Sequence, residues 1–248
     1  MLNKHSILLA FFLICSVEVF CNDAFMEKKH VADSLYMQEY YEEAASLYED
    51  LIKQAPQSSL LYYNLGNCYY RLDSIPQCIL SYERASLFDP GDSDVNLNLA
   101  FARAKIKDKI PTISELFFVT WWRQFTSLTN ISIWILLGFL SFMFLLIIYL
   151  FYDRRYKIAL ISIFFGVSLI ANLAAFTHYM VQHNRDFAII MVTQTNINSS
   201  PSVDATCLFV LHGGVKVQIS DDSLLDWCEV KLADGRQGWI EKNKLEII

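Results

Sequence analysis

Apolar residues form three long blocks along the chain, and the sequence between the blocks mixes polar and apolar positions in the ordinary way. The second and third blocks, residues 131–152 and 158–179, carry no formal charge. At a rise of 1.5 Å per residue, about 22 helical residues cross the ~30 Å hydrocarbon layer of a bilayer. The two blocks therefore predict two transmembrane helices.

The first block lies at the amino terminus, where Lys4 precedes the apolar residues 7–15 and the polar pair Asn22 and Asp23 follows. This layout is typical of a secretory signal peptide, and the apolar run is shorter than the ~20 residues of a spanning helix. We predict a signal peptide at residues 1–21. Cleavage after Cys21 and cleavage after Ala24 both fit, and retention as an anchor is the alternative.

Residues 153–157 alone separate the two predicted transmembrane helices, and they include Arg154, Arg155 and Lys157. Short loops rich in Lys and Arg stay in the cytoplasm. The two helices are therefore expected to form a hairpin in the cytoplasmic (inner) membrane. The regions before and after it then lie on the extracytoplasmic, periplasmic side, which agrees with an exported amino terminus.

Residues 25–92 repeat with a period of 34 residues. Small residues recur where two helices cross, aromatic residues recur between helices, and a proline recurs where the second helix ends. The equivalent pairs are Ala44 and Cys78, Tyr48 and Tyr82, Leu51 and Ala85, and Pro56 and Pro90. We predict a helical domain at residues 25–110, with repeats at 25–58 and 59–92 and a capping helix at 93–107.

The second copy carries Tyr62, Leu65, Gly66 and Tyr69 in its first helix, and with them it resembles the tetratricopeptide repeat. The resemblance implies an all-α superhelix whose first helices line a concave groove for a partner's peptide. By repeat position, the expected groove residues are Lys29, Asp33, Tyr36, Tyr63, Asn67, Tyr70 and Arg71. For each of them a solvated helix face is the alternative. A clamp for a terminal carboxylate is not expected, because Asp33 replaces an Asn of the family pattern.

Residues 187–248 change to short alternating runs separated by turn signals, among them the hairpin turn Asp234-Gly235. About sixty residues of this kind predict a small all-β barrel, because closure removes exposed strand edges. The stretch 227–240 resembles the end of bacterial SH3-like domains, which bind cell-wall peptides or proteins. We expect Trp227 and Trp239 in the core, with a platform for a ligand as the alternative. Gly238 is expected at a close approach of two strands.

The segment 113–128 is rich in aromatic residues and includes Trp121, Trp122 and Phe125. Such residues prefer the headgroup layer, so we predict a helix lying on the membrane surface. Docking against a partner's transmembrane helix is the alternative. His178 lies near the outer end of the third apolar block, and we expect it to be a solvated imidazole rather than a proton site.

The order of these parts resembles the BatE family of aerotolerance-operon proteins over the whole predicted mature chain. That resemblance implies von Willebrand A-type membrane partners, a MoxR-type ATPase and a role in envelope stress or oxygen tolerance.

Charge and motif content exclude several other classes of protein. The net charge is −6 and no basic tract follows a helix face or loop, so nucleic acid is not an expected partner. The five His residues are widely separated, and no phosphate loop, nucleophile elbow or zinc-protease motif is present. We therefore expect no enzyme activity, no metal site and no cofactor.

Four of the six cysteines, Cys68, Cys78, Cys207 and Cys228, follow the predicted signal peptide. Export permits a disulfide within each neighbouring pair. Buried free thiols are the favoured interpretation, because Cys78 is a small crossing residue and Cys228 alternates inward with Val230.

Together, the sequence predicts a multi-domain membrane protein with a tetratricopeptide superhelix, a two-helix transmembrane hairpin and a small SH3-like barrel. The expected function is an extracytoplasmic scaffold or adaptor that binds protein partners. The alternative is a cell-wall sensor whose SH3-like domain binds peptidoglycan.

Overall fold

A computed structural model of the protein describes residues 24–111, 116–129, 131–151, 154–183 and 186–248. The predicted signal peptide lies outside these residues. The described chain has three parts. They are a repeat module at residues 24–104, an apolar part at residues 116–183 and a β-domain at residues 186–248.

The repeat module consists of five helices. They are α1 (24–37), α2 (Tyr41–Gln54), α3 (Ser59–Arg71), α4 (Ile75–Phe88) and α5 (Ser93–Ala104). The turn inside each repeat contains a residue with positive φ, Glu39 at 67° and Asp73 at 55°. These two residues are 34 positions apart, so the backbone follows the same period as the sequence. Ser58 caps α3 and Asp92 caps α5 through side-chain oxygens that accept backbone N–H bonds.

The core of the repeat module follows the aligned positions of the two repeats. Ala44 and Tyr48 are buried in the first repeat, and Cys78 and Tyr82 are buried in the second. Gly66 lies against the Tyr82 ring, since a Cβ added to it would be 2.5 Å from Tyr82 Cε1. The small crossing residue predicted from the repeat pattern is therefore required by close packing.

The apolar part consists of α6 (Phe117–Thr126), α7 (Ile131–Phe151) and α8 (Arg154–His183). α7 and α8 pack against each other in opposite directions. Ser141 Oγ donates to the Phe164 carbonyl at 2.7 Å, and Gly138 lies opposite Asn172 further along the pair. Within the described residues, one stretch, Ile158–Val181, is long and apolar enough to cross a membrane. Phe117–Thr126 and Ile131–Leu145 meet the same criteria only as a pair bent by 84°.

Two details of the predicted hairpin differ from the structure. α8 begins at Arg154, so the backbone of Arg154, Arg155 and Lys157 is helical rather than part of a turn, and α8 continues to His183. Arg and Lys are good helix formers, and no Gly or Pro interrupts residues 154–157. Residues 152 and 153, at the predicted turn, lie outside the described residues.

His178 also differs from the prediction, because it is buried instead of solvated. Its Nε2 lies 2.9 Å from the carbonyl oxygen of Thr126, the last residue of α6. The end of an isolated helix at a membrane boundary would be solvated, but α6 covers His178 in the fold.

The β-domain is one antiparallel seven-stranded sheet in the order β3-β2-β6-β5-β4-β1-β7. Its strands are β1 (Phe187–Ile190), β2 (Gln194–Asn198), β3 (Cys207–His212), β4 (Lys216–Asp221), β5 (Trp227–Lys231), β6 (Gln237–Glu241) and β7 (Leu245–Ile247). Within residues 186–248 the two end strands, β3 and β7, do not pair with each other, so the predicted barrel closure is not formed by strand pairing. Arg84 of α4 contacts the β7 edge, since it donates to the Ile247 carbonyl and to Glu246.

The core of the β-domain contains aliphatic residues and Cys228, but neither tryptophan. Cys228 and Val230 point inward on β5, so Trp227 lies on the other face of the strand and is only partly buried. Trp239 is likewise partly exposed on β6. The prediction of a tryptophan core is therefore wrong. Gly238 does permit a close approach of strands, since a Cβ there would lie 2.5 Å from Ile197 Cγ2.

The β-domain packs directly on the repeat module. Ile189 of β1 belongs to the same buried cluster as Ile79 of α4 and Leu99 of α5. Gly214 has a φ of 91°, and a Cβ added to it would lie 3.1 Å from Ile79 Cδ1. The β-domain thus covers the end of the repeat module together with α5.

Candidate functional site

Two adjoining pockets lie on the repeat module and share Tyr36 and Asn67 as a common wall. The first has a volume of about 210 Å³ and is lined by Asp33, Tyr36, Met37, Tyr48, Asn64 and Asn67. The second has a volume of about 230 Å³ and is lined by Tyr36, Asn67, Tyr70, Arg71, Tyr82, Asn98 and Phe101. We call the two pockets together the groove.

Asn67, in the wall between the two pockets, is held by side chains from two other helices. Its Oδ1 accepts from the Tyr82 hydroxyl at 2.6 Å and from Asn98 Nδ2 at 3.2 Å. Asn98 Nδ2 also donates to the Tyr63 hydroxyl at 3.1 Å. Because two donors occupy Oδ1, the Asn67 amide has one orientation. Its Nδ2 has no hydrogen-bond acceptor among the described residues, so it is available to a ligand carbonyl.

The first pocket has an anionic side chain. Asp33 accepts from Lys29 Nζ at 2.8 Å and from the Tyr48 hydroxyl at 2.5 Å. Burial by itself raises the pKa of Asp33, but these hydrogen bonds and the Lys29 charge outweigh burial and hold the pKa below its usual range. Asp33 is therefore ionised at neutral pH, and Lys29 is engaged by it. This arrangement disfavours a clamp for a terminal carboxylate.

The second pocket has a cationic end. The Arg71 guanidinium lies 5.8 Å from the centre of the Tyr41 ring, and Lys105 Nζ lies 4.3 Å from the centre of the Tyr70 ring. Lys105 also pairs with Asp73 at 3.0 Å. The groove thus runs from an anionic end at Asp33 to a cationic end at Arg71, with aromatic and amide side chains between them.

Five of the seven residues predicted for the groove line its pockets, namely Asp33, Tyr36, Asn67, Tyr70 and Arg71. Lys29 and Tyr63 line neither of these two pockets, but Lys29 contacts Asp33 and Tyr63 contacts Asn98, which do. Repeat position did not identify the other six lining residues, Met37, Tyr48, Asn64, Tyr82, Asn98 and Phe101. Asn98 and Phe101 are three residues apart on α5, which places them on one helix face, but the sequence predicts that helix only as a cap.

The four cysteines in the described residues are free thiols. Cys68, Cys78 and Cys228 are buried and Cys207 is exposed, so the favoured interpretation of buried thiols does not hold for Cys207. The described residues contain no cluster of three or more His, Cys, Asp or Glu side chains with the geometry of a metal site.

Comparison with known families identifies the class of the repeat module. Residues 35–100 match the tetratricopeptide repeat family, and this range covers most of the groove. No curated protein matches the chain. The module is therefore a tetratricopeptide repeat region, a class of structure that binds protein partners.

Proposed function

We propose that the protein is a membrane-anchored extracytoplasmic scaffold whose groove binds an extended segment of a partner protein. The observation that carries this proposal is the pair of adjoining pockets in which a fixed Asn67 amide stands in the wall between the Asp33 pocket and the Arg71 pocket. An unpaired amide donor suits a peptide carbonyl, and the two charged ends suit opposite charges along one peptide. Exposed Met37 and Phe101 beside them supply apolar contacts.

Anchoring by α7 and α8 is part of the same proposal. Ile158–Val181 is long and apolar enough to cross a membrane, and α7 packs along it. The cations Arg154, Arg155 and Lys157 at the start of α8 favour a cytoplasmic location for that end. The repeat module and β-domain then lie on the periplasmic side. We further propose, from the resemblance in the order of its parts, that the protein acts in a Bat-type aerotolerance or envelope-stress complex with von Willebrand A-type partners.

Crosslinking in native membranes tests the groove. We compare Asn67→Ala/Arg71→Ala with a control variant, Lys53→Ala/Gln54→Ala, that removes a cation and an amide from the exposed end of α2. The groove variant is expected to lose most of the crosslinked partner while the control keeps it. Equal recovery from both variants, with the helical content unchanged, would refute the groove as the docking surface.

A second candidate function concerns the β-domain and peptidoglycan. The supporting observation is that Trp227 and Trp239 lie on the outer face of neighbouring strands, where Trp227 pairs with Glu241 and Trp239 with Glu229. Partly exposed aromatic side chains can stack on sugar rings or peptides. We test this candidate by cosedimentation of the full-length protein with purified sacculi, before and after Trp239→Ala. Absence of cosedimentation, or cosedimentation that Trp239→Ala leaves unchanged, would count against it.

A further inference from the structure

α6 meets the pair formed by α7 and α8 at an elbow that two side chains hold together. The carbonyl oxygen of Thr126, at the end of α6, accepts from Trp134 Nε1 of α7 at 3.0 Å and lies 2.9 Å from His178 Nε2 of α8. A carbonyl oxygen only accepts, so His178 donates through Nε2. All three residues are buried. Two helices thus bind one carbonyl of the third, and we call this arrangement the Thr126 lock.

The C-terminal half of α6 packs against the ends of α7 and α8. Trp122 and Phe125 contact the buried cluster of Trp134, Ala171 and Ala174. The ring centres of Phe125 and Trp134 are 5.3 Å apart. These contacts and the Thr126 lock fix the direction of α6, which lies at 84° to the first part of α7.

The N-terminal half of α6 exposes large apolar side chains. The exposed residues are Phe117, Phe118, Val119 and Trp121, with Leu116 and Leu128 at the two ends of the helix. α6 carries a single formal charge, that of Arg123. Soluble proteins rarely expose a contiguous apolar patch of this kind without a partner for it.

The position of this patch identifies the partner as lipid. The patch continues onto exposed apolar residues of α7 such as Ile133 and Leu137, and of α8 such as Phe176. α7 runs antiparallel to α8, whose stretch Ile158–Val181 is long and apolar enough to cross a membrane, so a helix at 84° to α7 lies close to the membrane plane. Trp and Phe at such a place prefer the boundary between headgroups and acyl chains.

We propose that α6 is an in-plane membrane-surface helix whose Phe117, Phe118 and Trp121 insert at the headgroup–acyl boundary, in the direction that the Thr126 lock sets. This proposal rests on the proposed anchoring by α7 and α8. It also positions the repeat module, because Gly91 of the α4–α5 turn lies against the elbow. A Cβ added to Gly91 would be 2.2 Å from the carbonyl oxygen of Ser127. The groove is thereby held beside the bilayer surface.

Spin labels on the full chain test the depth of α6. A label at Phe118→Cys is compared with one at Phe101→Cys, because the two phenylalanines are 53% and 55% exposed and only the first is proposed to meet lipid. Cys15, Cys21 and Cys207 are changed to Ser, and the buried thiols are kept. The protein is inserted into vesicles of phosphatidylethanolamine and phosphatidylglycerol, and collision with oxygen is compared with collision with a water-soluble nickel chelate.

We expect the label at position 118 to collide severalfold more with oxygen than with the nickel chelate, and the label at 101 to show the reverse. An aqueous profile at 118 in protein that resists carbonate extraction would overturn the surface-helix proposal and leave the anchoring intact. Shielding of 118 from both reagents would also overturn it, because a protein partner would then cover α6. Extraction of the protein by carbonate would refute the anchoring itself.

The Thr126 lock is tested by Trp134→Phe/His178→Ala, which removes both donors to the Thr126 carbonyl. Thr126→Val is the control, since it removes a hydroxyl that donates to the Arg123 carbonyl and keeps the Thr126 carbonyl. The label at 118 is expected to become shallower and more mobile in the donor variant and to stay at its original depth in the control. Equal depths in the two variants, with the repeat module folded, would show that the lock does not orient α6.

Discussion

Glu83 of the repeat module and Lys216 of the β-domain form an ion pair with an Oε2–Nζ distance of 2.8 Å, although 133 positions separate them in the chain. Arg103 of α5 pairs with the other carboxylate oxygen of Glu83. The Glu83 side chain is 6% exposed, so its charge is removed from water and depends on both cations. The repeat module and the β-domain are therefore joined by a buried ion pair as well as by an apolar cluster.

Glu83→Ala should destabilise the packing of the β-domain on the repeat module. We expect a loss of about 1–3 kcal/mol, less than for a fully buried pair because Lys216 and Arg103 are partly solvated. Urea unfolding followed by helical circular dichroism and by tryptophan fluorescence should change from coincident to separate transitions. Asp50→Ala is the control, since Asp50 also bridges two cations, Lys28 and Lys53, but at the surface. An equal effect of both variants would contradict the buried role of Glu83.

The same carboxylate should make the packing sensitive to acid. Burial raises the pKa of Glu83, but attraction to Lys216 and Arg103 outweighs burial and lowers the pKa below its usual range. The pKa of Glu in an unfolded chain is about 4.3, and above this pH the ionised Glu83 contributes its full stabilisation to the fold. This contribution is lost as the pH falls through the lower pKa that Glu83 has in the folded protein. Unfolding free energy measured against pH should fall less steeply below about pH 4 in Glu83→Gln than in the natural protein. An equal fall of the unfolding free energy with pH in both proteins would show that Glu83 does not cause the acid sensitivity.

The thiols in the described residues should react very unequally with an alkylating reagent. Burial raises the pKa of Cys68 and Cys78 to about 12 and that of Cys228 to about 11. Few of these thiols are thiolates near pH 8, and all three are also sterically protected. Mass spectrometry of the native protein should find rapid labelling of Cys207, and labelling of the other three only after denaturation. A disulfide-linked Cys68–Cys78 or Cys207–Cys228 peptide without reduction would contradict the free thiols.

Gly66→Ala should damage the repeat module through the Tyr82 ring. The added methyl group would overlap that ring, and overpacking of this kind costs about 1–3 kcal/mol. Displacement of Tyr82 also removes a hydrogen bond to Asn67, so partner binding should weaken as well. Gly166→Ala is the control, because a Cβ at Gly166 of α8 meets nothing within 4 Å. Thermal unfolding of both variants checks the prediction, which fails if Gly66→Ala is as stable as the control.

Local periodicity was sufficient to predict the repeat module and five of the eleven residues that line its groove. The positions of Tyr36 and Asn67 follow from the period of 34, because each repeat presents the same face of its first helix. The alternation on β5 correctly predicts Cys228 and Val230 on the inner face. The expected core position of Trp227, which rests on the size of its ring, conflicts with this alternation and is wrong.

Contacts between distant segments could not be predicted in this way. Charged residues such as Glu83 and Lys216 usually lie at the protein surface. No sequence pattern within α4 or within β4 indicates that the two elements pack together. His178 likewise has the sequence context of a solvated residue, because α6, which covers it, ends 52 positions earlier. Such contacts depend on the relative placement of complete elements, which a pattern within one element does not contain.

The pairing of Glu83 with Lys216 also constrains how the protein is made. Everything between the two residues, including α7 and α8, must be synthesised before Lys216 exists to meet Glu83. Until then the surface of α4 around Ile79, against which Gly214 will pack, is uncovered in the nascent chain. The β-domain is synthesised after the repeat module and therefore supplies the last part of its packing. A chain that ends between the two leaves this apolar surface of α4 exposed, and such surfaces promote aggregation.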